Sequence, residues 1–234
     1  MQLPILDHQY PEFPDPNITL TDPDGLLAMG GNLSTDTLLS AYYRGIFPWY
    51  NDQDPILWWS PSTRCVLMPS ELHISKSLRK QLRKQLYKIT LNSAFESVIS
   101  ACSKRGASQQ TWINQNMIEA YTKLNKLGHA HSVEVWDGDN LIGGVYGVGV
   151  GGIFCGESMF SKHRNTSKIA LAYLCNYMIS IGIKMIDCQL ENDHLLSLGA
   201  QSISRDLFLQ RLKWLRDKKI HWRPIENGDL KLTW

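Results

Sequence analysis

Ala130-His131-Ser132-Val133-Glu134-Val135-Trp136, then Asn140-Leu141-Ile142-Gly143-Gly144-Val145-Tyr146-Gly147-Val148-Gly149-Val150, then Gly152-Ile153-Phe154-Cys155-Gly156-Glu157-Ser158 read as three successive strands. Each is rich in β-branched or aromatic residues and is bounded by Gly, Asp or Asn, the alternation of strand and turn. The second and third form a candidate hairpin. Ser167 to Ile181 follows as a helix, Lys184 to Gln189 as a fourth strand and Arg205 to Arg216 as a last helix. This order predicts a mixed sheet with helices on its faces, an α+β fold.

Working outward, Arg64-Cys65-Val66-Leu67 reads as a further strand. Ile74 to Tyr87 reads as a helix with Leu78, Leu82 and Leu86 on one stripe, and Ala94 to Cys102 and Asn114 to Leu127 as two more helices. The first sixty residues are different: rich in Pro, Asp, Asn and Gly, with aromatic clusters at Phe47-Pro48-Trp49-Tyr50 and Leu57-Trp58-Trp59. They hold one clear helix, with Ser34 as N-cap and Gly45 as stop. Residues 1–63 carry one basic side chain, Arg44, against eight acids; that balance of −7 leaves +9 for the rest of a chain of net charge +2. The charge switch places a domain boundary near residues 61–64, giving a small N-terminal α/β domain at 1–63 and a larger mixed-sheet domain at 64–234. A basic piece joined to an acidic one points to a polyanionic partner, or only to a dipolar surface.

No apolar run approaches the ~20 residues of a membrane span, and the first residues lack the basic and apolar regions of a signal peptide. Five scattered cysteines without a C-x-x-C pair suggest reduced thiols in the cytoplasm, and neither a disulfide framework nor a zinc site.

Four groups of residues could carry chemistry. From Leu72 to Phe95 there is no acid and six bases; Lys76, Arg79, Lys80, Arg83 and Lys84 recur at helical spacing on one face. Such a face suits a phosphate backbone, the alternative being a solvated helix surface. In Lys184 to Gln189, Asp187 and Gln189 share one strand face and Ile186 and Cys188 the other. An acid and an amide at that spacing can hold a proton-bearing group, or can mark the wet face of an edge strand. Glu157 is an acid in an apolar strand, hence a site residue or a salt-bridged core acid. Trp49, Trp112, Phe154 and Met159 are candidates for an apolar pocket, or ordinary core. Other patterns are weaker. Gly147, Gly149 and Gly152 match G-x-G-x-x-G but lead into a strand rather than a helix. His129-Ala130-His131 lacks metal-site context. Cys188 with His131 or His194 could form a thiolate pair, although a buried free cysteine explains it as well.

Together these stretches resemble the bacterial leucyl/phenylalanyl-tRNA–protein transferase family. The matching segments are Gly25-Leu26-Leu27-Ala28-Met29-Gly30-Gly31-Asn32-Leu33-Ser34, Tyr43-Arg44-Gly45-Ile46-Phe47-Pro48-Trp49-Tyr50 and Ile56-Leu57-Trp58-Trp59-Ser60-Pro61. Thr111-Trp112-Ile113, Gly128-His129-Ala130-His131-Ser132-Val133-Glu134, Gly156-Glu157-Ser158-Met159-Phe160-Ser161, Ile186-Asp187-Cys188-Gln189, and His194-Leu195 with Ser197-Leu198-Gly199-Ala200 follow in order. Thr166 and Asn125 depart from the usual alanine and histidine.

The resemblance implies a small N-terminal domain on a C-terminal domain with an N-acetyltransferase-like (GNAT-type) fold. It implies transfer of Leu, Phe or, less readily, Met from aminoacyl-tRNA to proteins beginning with Arg or Lys, which marks them for degradation by the N-end rule. Carried over by motif, Asp187 and Gln189 would be the catalytic centre, with Glu157 orienting a reactant. Trp49, Trp112, Phe154, Met159 and Ile186 would line the aminoacyl pocket. The tRNA would bring its 3′ end and acceptor stem to the cationic helix. The aminoacyl ester is already activated, so no cofactor or metal is implied. Gln189 would hydrogen-bond the attacking amine and Asp187 would polarise it and attract the acceptor's cation, the proton's destination staying open. Two rivals remain: an acetyl-CoA-dependent N-acetyltransferase, whose glycine-rich pyrophosphate loop has no counterpart in Ser161 to Ser167, and a non-catalytic tRNA-binding module.

Overall fold

Two sheets organise the chain, seen in a computed structural model that describes residues 2–104 and 112–225, so that Thr111 of the Thr111-Trp112-Ile113 motif lies outside the described residues. The first has strands β1 (Ile5–Leu6), β2 (Leu26–Gly30), β3 (Phe47–Pro48) and β4 (Leu57–Trp59), in the order β1-β2-β4-β3. The second has β5 (Thr63–Leu67), β6 (Lys88–Leu91), β7 (Ala130–Asp137), β8 (Asn140–Val150), β9 (Ile153–Ser161), β10 (Met185–Gln189) and β11 (Gln201–Ser204), ordered β11-β5-β10-β9-β8-β7-β6. Its pairs are antiparallel except β9 with β10, which the helix α5 (Thr166–Ile181) joins as a parallel crossover. The mixed sheet expected from the strand order and from the family resemblance is present.

The remaining helices are α1 (Thr35–Tyr43), α2 (Lys76–Arg83), α3 (Phe95–Ser103), α4 (Gln115–Lys126), α6 (Asp193–Ser197) and α7 (Arg205–Leu215). Ser34 caps α1 by accepting a hydrogen bond from Thr37 N, and Gly45 follows at φ +78°. A Cβ on Gly45 would meet Leu209 and Phe208 at 2.8 and 2.9 Å, so glycine also lets α7 approach the end of α1. The hairpin turn between β8 and β9 is Gly151-Gly152, with Gly151 at φ +53° and its backbone against the carbonyl of Arg216.

Alternating strand residues feed two cores, one on each face of the larger sheet. Tyr146, Val148, Ile153, Cys155 and Met185 join α1, α3, α4, α7 and the first sheet, including Leu27 and Trp58. Val145, Phe154 and Ile186 join α2 and α5. The first sheet therefore covers one face of the second and shares its core.

Three expectations change. The cationic helix ends at Arg83 rather than Tyr87, because Gln85 turns into the left-handed region at φ +47°. Leu78 and Leu82 are buried as the stripe requires, but Leu86 lies beyond the helix and is 63% exposed. The third strand runs on to Ser161, because β8 pairs with it as far as Gly143. The edge strands β6 and β11 occupy stretches whose short patterns gave no strand signal.

Candidate active site

The parallel strands β9 and β10 are neighbours only from Ile153 and Met185 to Cys155 and Asp187. Beyond that point they part. The register of β9 against β8 shifts between Gly156 and Ser158, leaving Glu157 as the extra residue. The register of β10 against β5 shifts between Asp187 and Gln189, and Gln189 takes φ +65°. Two bulges thus face each other where the sheet opens, a common way to re-aim side chains beside a site.

Across that opening Gln189 Nε2 donates to Glu157 Oε1 at 2.9 Å. Tyr42 OH, from α1, donates to the same oxygen at 2.8 Å, and Tyr121 OH, from α4, to Oε2 at 3.3 Å. The two tyrosine oxygens also lie within hydrogen-bond reach of each other, and a proton is available for that bond only when Glu157 is protonated. Desolvation pushes the Glu157 carboxyl up to about 7, with the charge of Asp187 adding; the bonds from Tyr42, Gln189 and Tyr121 oppose the rise. A carboxyl poised there is populated as both acid and base near neutral pH.

Asp187 and Gln189 share one face of β10, with Ile186 and Cys188 packed on the other, as strand parity expects. The alternative of a wet edge-strand face does not hold at Asp187, which is 0% exposed. Arg64 Nε and Nη2 donate to its two oxygens, both at 2.7 Å. The Arg64 guanidinium is sandwiched 4.7 Å from the Phe47 ring and 4.5 Å from Phe208. Asp187 Oδ1 also accepts from Gln189 N at 3.0 Å. Both carboxylate oxygens are thus engaged within the chain, one of them also by the backbone of Gln189.

Sequence reasoning missed Arg64, Tyr42 and Tyr121. Arg64 had a signal, since a charge in an apolar strand needs a buried counter-charge. The tyrosines had only the general one, that a buried hydroxyl finds a partner.

Among the described cavities, none is lined by more than one of the five apolar pocket candidates. Phe154 and Ile186 are 1% and 3% exposed, in the core that faces α5. Met159 lines a cavity of about 860 Å³ with Glu96, Ser100, Lys104, Phe160 and Lys162, and none of the other four lines it. Trp49 is 42% exposed and packs edge-on against Trp59, while Trp112 is half-buried against the core that faces α1. On α2, Lys76, Arg79, Lys80, Arg83 and Lys84 are all exposed, and among the described residues none forms an ion pair.

The other patterns resolve into structure. His131 stacks on Trp222 at 3.9 Å and contacts Asn92 through Nδ1; burial pushes it down to about 3, so it is neutral. Among the described residues no cluster of three or more His, Cys, Asp or Glu could hold a metal ion, and no helix is long and apolar enough to cross a membrane. Gly147 and Gly149 lie inside β8 and Gly152 in the hairpin turn, away from any helix start. Cys188 pairs by hydrogen bond with Cys65, not with a histidine.

Comparison with known proteins shows the family. The family profile "Leucyl/phenylalanyl-tRNA protein transferase" matches residues 66–213, and that of its N-terminal domain matches residues 31–62. Leucyl/phenylalanyl-tRNA–protein transferases from Shewanella baltica (strain OS155) and Shewanella sp. (strain W3-18-1) are similar throughout. The first is 52% identical over 219 residues, covering 93% of this chain and 92% of that one; the second is 50% identical over 228, covering 96% and 97%. A solved structure, L-PGS from Bacillus licheniformis, is similar at a TM-score of 0.39 and 9% identity over 71% of this chain and 53% of that one. With both profiles matched in order and half of the residues shared with these relatives, the chain belongs to the leucyl/phenylalanyl-tRNA–protein transferase family.

Proposed function

We propose that the protein moves a leucyl, phenylalanyl or methionyl group from aminoacyl-tRNA to the amino terminus of proteins that begin with Arg or Lys. The observation that carries the chemistry is the Glu157–Gln189 contact at the opening between β9 and β10, in a chain of this family. The Gln189 carboxamide donates to Glu157, which leaves its carbonyl oxygen to accept an N–H from the attacking amine. The amine nitrogen attacks the ester carbonyl, the bond to the ribose oxygen breaks, and an amide forms. Glu157 Oε2, with one long hydrogen bond, takes the amine's proton and returns it to the departing ribose oxygen. The acceptor amine has an ordinary pKa near ~7.7–8.0, so a base near neutrality suffices. Positioning of the two reactants supplies the larger share of the barrier reduction, up to ~7–11 kcal/mol.

In this reading Asp187 acts through Arg64 and Gln189. Trp49, Trp112 and Met159 have exposed surface to meet an apolar aminoacyl side chain, and Phe154 and Ile186 lie behind Met159 in the core that faces α5. The exposed cations of α2 take the phosphates of the acceptor stem while the 3′ end reaches the opening. Charged tRNA places the reaction in the cytoplasm.

The acetyl-CoA alternative is disfavoured by local geometry. At the start of α5, Ser167 N donates to Ser161 Oγ at 2.8 Å and Thr166 N to the His163 carbonyl at 3.2 Å. These amides are engaged within the chain and do not present a free pyrophosphate cradle. The test is incubation of the purified protein with Phe-tRNA and an Arg-starting peptide, read by mass. Gain of one phenylalanyl residue is expected; no gain, or acetylation from acetyl-CoA instead, overturns the reading.

A further inference from the structure

Glu157 is held from two separate helices by a pair of hydroxyls that lie within hydrogen-bond reach of each other as well as of the carboxyl. Tyr42 comes from α1 and Tyr121 from α4, and both rings are buried. Counting protons shows what such a pair permits. Each hydroxyl has one proton to give and lone pairs to receive. With Glu157 ionised, Tyr42 donates to Oε1 and Tyr121 donates to Oε2, and the bond between the two hydroxyls is not made. With Glu157 protonated on Oε2, that proton goes to the Tyr121 oxygen, Tyr121 turns its own proton to the Tyr42 oxygen, and Tyr42 still donates to Oε1. A single O–H rotation therefore satisfies every group in both states, and no buried polar atom is orphaned in either.

We propose that Tyr42 and Tyr121 are positioning residues that let Glu157 alternate between base and acid in place, and that α1 completes the active site by supplying one of them. This rests on the catalytic reading of Glu157. Neither hydroxyl touches the reactants; both act through the carboxyl.

The groups facing Glu157 are Tyr42 from α1, Tyr121 from α4, Gln189 and Asp187 from β10, Cys155 from β9 and Arg64 from β5, with Tyr146 of β8 behind Tyr121. Among these, the two tyrosines can be stripped of their hydroxyls with least change of shape. Tyr42→Phe and Tyr121→Phe keep the edge-on ring contact at 6.4 Å.

The experiment compares both variants with the parent protein in two measurements. The first is the pH titration of the ¹³C-labelled Glu157 carboxyl by NMR. The second is kcat and KM for transfer of Phe from Phe-tRNA to an Arg-starting peptide. Loss of the Tyr42 bond, which favours the ionised form, is expected to raise the carboxyl midpoint by about one unit. Tyr121→Phe, which blocks the rotation, is expected to lower kcat about tenfold with KM unchanged. An unmoved midpoint in Tyr42→Phe, or a Tyr121→Phe effect confined to KM or to thermal stability, overturns the inference. Glu157→Gln separates the two ideas. If it transfers at the parent rate, the catalytic reading of Glu157 is wrong. If it is inactive while both Phe variants behave as the parent, only the tyrosine inference is wrong.

Discussion

Replacing Arg64 by Met removes one half of the ion pair with Asp187 and nothing else of comparable consequence. Both side chains are buried, at 1% and 0% exposure, and two hydrogen bonds of 2.7 Å join them. Asp187 would be left in the core with the Gln189 amide and the Cys155 thiol as its partners and no counter-charge. An uncompensated buried carboxylate costs ~3–5 kcal/mol, to which the guanidinium's contacts with Phe47 and Phe208 add. A domain of ordinary stability has only ~5–15 kcal/mol to lose. At ~2–4 °C per kcal/mol for a chain of this size, Tm should fall by about 6–20 °C. Urea unfolding followed by tryptophan fluorescence reads the same loss as a lower midpoint. The double variant Arg64→Met with Asp187→Leu, which removes both charges, should recover most of the stability but little activity, because Gln189 at φ +65° loses its anchor. A loss under ~1 kcal/mol in the single variant, the size expected of an exposed pair, would refute the argument.

Other outcomes follow from single groups. Glu157 is raised from 4.5 to about 7, so its contribution to stability is full below pH 4.5 and is lost as pH rises through 7. Glu157→Gln should therefore be more stable than the parent at pH 8 by up to about 3 kcal/mol relative to their difference at pH 4.5, and parallel stability curves would contradict this. His131 is depressed from 6.5 to about 3, so its contribution is present above pH 6.5 and lost as pH falls through 3. His131→Asn should flatten that acid limb in denaturation curves. Changing Lys76, Arg79, Lys80, Arg83 and Lys84 to Gln should weaken tRNA binding at all salt concentrations and lower the log–log salt slope by about one per lost phosphate contact. An unchanged slope would move the tRNA elsewhere.

Much of the larger sheet was legible because its strands are long and patterned: β7, β8 and α5 begin and end within a residue of where glycine, asparagine and apolar spacing put them. Short edge strands such as β6 and β11 have too few residues to show a period. The over-long reading of α2 came from leucines that kept helical spacing after the backbone had turned at Gln85. Within the site, Glu157 stood out as an acid in an apolar strand. Its partners did not, since Tyr42 lies 115 residues away and Tyr121 lies 36 away, on helices whose packing no local pattern specifies. Parity held at Asp187 and Gln189, whose side chains share the face turned toward α1 although a bulge lies between them; what parity could not show is that Arg64, 123 residues from Asp187 in the chain, takes up the carboxylate.

The most direct test concerns Glu157 as the proton acceptor. Single-turnover transfer of Phe from Phe-tRNA to an Arg-starting peptide should be measured at pH 9 for the parent and for Glu157→Gln. At that pH the peptide's amine is already neutral, so its own ionisation no longer limits the rate. A deficit of about 10²-fold or more that persists at pH 9 is predicted; recovery of the parent rate there would show that the carboxyl does not handle the proton.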